Sequence, residues 1–116
     1  MSQNPWASIA LCFFTSASLV ADEPLSFEAD VRPIFKTHCF HCHGEGGELS
    51  GGLDLRLRRL IEQGGDSGEA VVAGQPEESE LLARMLAGEM PPEEVALRPT
   101  PEELATIEAW IAAGAI

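Results

Sequence analysis

The chain has 116 residues, three cysteines, no tyrosine and a formal net charge of −12. That length bounds it to one small domain, and the acidic balance disfavours nucleic acid and anionic membrane surfaces as partners. No Asp, Glu, Lys or Arg precedes Asp22, so residues 1–21 form a stretch of different character.

Ala7 to Phe14 is an apolar run of signal-peptide length, followed by small polar residues and then Leu19-Val20-Ala21. This predicts a signal peptide over 1–21, cut after Ala21, a domain over 22–116, and a periplasmic or otherwise exported location. Thr15, Ser16 and Ser18 interrupt the apolar run, which makes an uncleaved anchor the lesser reading, and membrane contact is expected only in that case. Cys12 is expected to leave with the leader. The rest of the chain is near the size at which a protein core alone gives marginal stability, so a disulfide, metal or cofactor should help hold it. Only Cys39 and Cys42 remain to supply one.

Phe27, Val31, Ile34 and Phe35 recur at helical spacing after Ser26, a ready N-cap. The helix should run to the cysteines, beginning late near Asp30 or kinking at Pro33. Nine glycines between Gly44 and Gly74 exclude long regular elements. Within that stretch Leu53, Leu55 and Leu57 alternate like a short strand, and Arg58 to Gln63 could form one or two helical turns. Pro76 to Ala87 reads as a helix with Leu81, Leu82, Met85 and Leu86 on one face, ended by Gly88. The last element is the best defined: Thr100-Pro101-Glu102-Glu103 is a capping box, Leu104, Ile107, Trp110 and Ile111 form the apolar stripe, and Gly114 closes it.

The chemistry lies in Cys39-Phe40-His41-Cys42-His43, a C-x-x-C-H motif. Two thiols at this spacing can add across the two vinyl groups of a haem, and the adjacent imidazole then falls under the iron. One rival is a redox dithiol, which would want a preceding strand. Another is a zinc or copper site built from His38, Cys39, His41, Cys42 and His43, although structural zinc draws a second ligand pair from a distant segment and residues 22–116 hold no other Cys or His. For a sixth iron ligand the candidates are Met85 and Met90. Met85 sits on an apolar stripe and reads as core filler. Met90 precedes Pro91-Pro92, whose stiff backbone suits a thioether held at fixed distance, and is the favoured ligand.

These residues resemble the single-haem domains called planctomycete-type cytochrome c, within the class I cytochromes c. The resemblance rests on Val31-Arg32-Pro33-Ile34-Phe35, the Cys39 to Gly44 motif, Gly51-Gly52-Leu53-Asp54-Leu55-Arg56, Val72-Ala73-Gly74, Met90-Pro91-Pro92 and the Thr100 to Trp110 helix. It implies an all-α, cytochrome c-like fold of about three to five short helices wrapped around one covalent haem c, with glycine-rich loops. It also implies His43 as proximal ligand, Met90 as distal ligand, and first and last helices that cross beside the haem. Gln75 departs from the Asp that such domains often place before the proline to cap the helix. Phe35, Leu53, Leu55, Leu82, Leu104, Ile107 and Trp110 are expected to line the haem or one another.

The expected function is a monomeric single-electron carrier rather than an enzyme, since an iron bound by both His and Met has no open position. The alternatives are a haem with an open sixth position, for gas sensing or weak peroxidase chemistry, and an electron-relay module of a larger complex. No distal His or Arg is apparent for the former. A redox partner with a basic docking face is plausible. Arg56, Arg58 and Arg59 read as a solvated face, with haem propionates as their other possible partners.

Overall fold

Ser26 starts the first helical run as its N-cap, its Oγ accepting from the Ala29 N–H at 3.1 Å. The computed structural model describes residues 10–14 and 23–116, so the leader read at 1–21 lies outside the described residues except for 10–14, which are exposed and non-helical. From Phe27 to Val31 the run is a π-helical turn, and α1 (Arg32–His38) continues it with α-helical bonding. The wider turn comes before the proline, and Pro33 then enters the first turn of α1, where its missing N–H costs no ladder bond. The proline therefore neither delays nor ends the helix; the change of winding takes place next to it.

Cys39 separates α1 from the single turn α2 (Phe40–His43). Short 3₁₀ turns at Ser50–Gly52 and Pro76–Glu78 flank α3 (Arg58–Gln63), and α4 (Glu80–Leu86) and α5 (Pro101–Ala112) complete the described elements. The structure is helix-rich, with five α-helices and no strand among the described residues. The Leu53, Leu55, Leu57 alternation is therefore not a strand. Leu55 is buried while Leu57 is exposed and caps α3 with extended backbone.

The predicted Pro76 to Ala87 helix is also corrected. Ser79, in extended conformation, separates the 3₁₀ turn from α4. This serine is wholly buried. Its Oγ accepts from the Val72 N–H at 3.0 Å and donates to the Gln75 carbonyl at 2.9 Å. A hydroxyl that satisfies backbone groups on two segments competes with continuous helix, and here it prevails. Ser79→Ala is expected to cost about 1–3 kcal/mol, because it leaves the Val72 N–H buried without its partner. A urea-midpoint change worth less than about 0.5 kcal/mol would refute that account.

The core is built from both ends of the domain. Val31, Phe35, Phe40, Leu55, Ile61, Leu82, Ile107, Trp110 and Ile111 are the large apolar side chains buried to 2% exposure or less. The Phe27 ring stands 5.7 Å from Trp110 and 6.2 Å from Phe35, which locks the π-turn onto α5. Of the side chains expected inside, Phe35, Leu55, Leu82, Ile107 and Trp110 are buried, and Leu53 and Leu104 are partly buried against the same core. The Thr100 capping box is present in full, with both reciprocal bonds made.

Candidate functional site

A cavity of about 500 Å³ opens beside α2. One wall is Cys39, Cys42 and His43; another is Leu81 and Met85 of α4; a third is the loop carrying Met90, Pro91 and Pro92. Leu53, Leu55, Val95 and Leu97 add apolar surface, giving the size and character of a ligand pocket. The structure thus brings Cys39, Cys42, His43 and Met90 to one cavity, although the last lies far along the chain from the others. It also brings Met85 there. That side chain is 7% exposed, so it is core filler and cavity wall together.

His43 is oriented by the segment that follows the motif. Its Nδ1 lies 3.1 Å from the Leu53 carbonyl, an arrangement that makes Nδ1–H the donor and leaves the Nε2 lone pair for a metal. The Leu55 N–H returns a bond to the His43 carbonyl at 2.9 Å. That segment is itself fixed by buried Asp54, whose carboxylate takes Arg56 Nη2 at 2.7 Å and Nε at 3.0 Å. The side-chain hydrogen bond from Arg56 is the main cause that holds the Asp54 carboxyl below its ordinary pKa. Gly44 makes the approach possible: a Cβ there would stand 2.5 Å from Arg56 Cγ. Several glycines serve the same end. A Cβ at Gly64 would meet the Gly68 carbonyl oxygen, so the glycine-rich stretch folds tightly against its own backbone as well as bordering the cavity.

The basic cluster does not face the cavity. Arg56 holds Asp54, and Arg58 donates to the Ala115 carbonyl and lies 5.8 Å over the Trp110 ring. Neither is a simple solvated face. An arginine does reach the cavity wall, however: Arg84 of α4, paired with Glu80 at 2.7 Å. Neither that arginine nor the buried His38, which also lines the cavity, was singled out as a distal group from sequence. His38 Nε2 is 3.2 Å from both Glu103 carboxylate oxygens, tying the residue before Cys39 to the capping box of α5.

Glu103 carries a pKa below the ordinary glutamate value, chiefly through the bond from the Thr100 N–H, then through His38. A depressed carboxyl contributes stability that is present above its unfolded pKa and lost as pH falls through the folded one. The stability gap between wild type and Glu103→Gln, measured as urea midpoint against pH, is expected to be widest above about pH 4.3 and to close in more acid solution. A gap independent of pH would refute it.

The geometry favours one chemistry over its rivals. Among the described residues no group of three or more His, Cys, Asp or Glu is arranged to hold a metal ion by itself. Burial, with Cys42 alongside, pushes the Cys39 thiol up to about 12, opposite to what a nucleophilic dithiol needs, and the motif follows a helix rather than a strand. Two thiols, an oriented imidazole and two thioethers around an apolar cavity remain. Residues 39–94 match the family model described as Planctomycete cytochrome C.

This stretch is similar to the planctomycete cytochrome c domain. No curated protein and no solved structure matches the chain. The family ties the chain to haem c and to haem-based electron transfer. The residues present fit that group: the cavity is apolar, and the Cys39, Cys42 and His43 donors border it. Among the described residues no helix is long and apolar enough to cross a membrane.

Proposed function

We propose that this domain carries one haem, joined through thioether bonds from Cys39 and Cys42, and passes single electrons outside the cytoplasm. His43 is the proximal ligand and Met90 the distal one. The observation that carries this reading is the His43 Nδ1 bond to the Leu53 carbonyl, in a cavity whose wall also holds both motif cysteines and Met90. Attachment needs no oxidant, since each thiol adds its sulfur and hydrogen across one vinyl group. The bound haem supplies a one-electron ferric/ferrous couple, and thioether ligation favours its ferrous state. The chain's part is to orient the imidazole, exclude water with Leu53, Leu55 and Leu81, and keep the Met90 loop in place. The net charge of −12 suits a redox partner with a basic docking face, whose encounter salt would slow.

The test is a haem-stained denaturing gel together with oxidised and reduced visible spectra of the exported protein. Haem retained on the denatured chain, with the weak far-red band of methionine ligation, is the expected result. Covalent haem without that band would favour an open sixth position, with Arg84 and His38 as the polar groups at hand. No covalent haem from a host with working maturation machinery would overturn the proposal.

A further inference from the structure

The loop that carries Met90 has no regular structure between α4 and α5, and Pro91 and Pro92 give it no N–H donors at those two positions. On its leading side the Glu89 and Met90 N–H groups both reach the Arg84 carbonyl, at 2.9 and 3.2 Å. Both of its sides are gathered by one side chain. Arg98 Nη1 donates to the carbonyls of Pro92 at 3.1 Å and Val95 at 3.4 Å, and Nη2 donates to those of Gly88 at 3.1 Å and Pro91 at 2.8 Å. The four N–H groups on the two terminal nitrogens thus meet four carbonyls that bracket Met90 in sequence. A planar fork of this kind can hold acceptors from four residues in one fixed arrangement, which an ammonium cannot.

We propose that Arg98 is a positioning residue for Met90: by clamping the carbonyls of residues 88, 91, 92 and 95 it fixes the thioether at the cavity wall. It thereby sets how firmly methionine holds the iron. Arg98 is not part of that wall and lies beyond the segment that matches the family, so its effect runs through the loop. The inference rests on Met90 as the distal ligand.

The experiment compares wild type, Arg98→Lys and Arg98→Ala as haem-loaded proteins. The readouts are hydrogen exchange of the 88–97 amides, the far-red band, and displacement of methionine by added imidazole. Arg98→Ala is expected to speed loop exchange about tenfold or more, the factor that the loss of one charge-assisted hydrogen bond would give. It is also expected to weaken the band and to lower the half-saturating imidazole concentration by a similar factor. Exchange in α5 should stay slow, and Arg98→Lys should fall between the other two proteins. Unchanged loop exchange and unchanged imidazole displacement in Arg98→Ala would overturn the inference. Full recovery in Arg98→Lys would overturn the fork geometry, leaving charge alone as the cause. A wild type that lacks the band would overturn the Met90 reading itself; faster loop exchange in Arg98→Ala would then still support the clamp on the loop.

Discussion

Met90→Ala is expected to erase the far-red band of the oxidised protein and to lower its reduction potential by on the order of 100 mV, a modest part of the range of about 0.8 V that axial ligands command. Met85→Ala should leave both in place. The two methionines border the same cavity, yet they are held differently. Met85 is 7% exposed on α4, packed in the core beside Leu81 and Leu82, and its truncation should cost about 2–5 kcal/mol as a core cavity does. Met90 is only partly buried against the core, on a loop that hydrogen bonds hold, so its loss should alter the spectrum far more than the stability. Spectra and urea midpoints of the two variants separate these outcomes. A far-red band lost in Met85→Ala and kept in Met90→Ala would reverse the ligand assignment.

Trp110→Ala is expected to have the largest effect on stability, about 3–5 kcal/mol. Small domains are stable by only about 5–15 kcal/mol in total, so the variant should be partly unfolded at modest temperature. The indole is wholly buried, meets the Phe27 ring at 5.7 Å, lies beneath the Arg58 guanidinium, and donates from Nε1 to the Ile116 carbonyl at 2.9 Å. One side chain therefore joins the π-turn, the start of α3 and α5. Trp110→Phe keeps much of the apolar contact but removes one of the two donors to the Ile116 carbonyl, the other being the Phe27 N–H at 3.2 Å, and should lose roughly half as much. Thermal unfolding followed by circular dichroism would measure both, and an alanine variant within about 1 kcal/mol of wild type would refute this role.

Much of this was legible in the residues, and the parts that were not have physical causes. The C-x-x-C-H spacing announced Cys39, Cys42 and His43 as one donor set, because its chemistry depends only on neighbours in sequence, and all three border the cavity. The capping box announced α5 for the same reason. The break at Ser79 was hidden: Pro76 and the acids after it form a good helix start, and only contact with Val72, seven residues away, shows why the helix restarts. The leucine alternation misled because a chain bordering a cavity in extended conformation turns its side chains in and out much as a strand does. Arg98 left no signal. A lone arginine after a proline-rich loop becomes meaningful only once the loop's carbonyls are seen to converge on it.

The carboxylate of Glu103 serves two masters, the first turn of α5 through Thr100 and the residue beside the attachment cysteine through His38. Helix start and motif are thereby joined into a single opening unit, although they lie 65 positions apart in the chain. Acid strong enough to protonate that depressed carboxyl will loosen both, so fraying at the amino end of the last helix is also a disturbance beside the cavity.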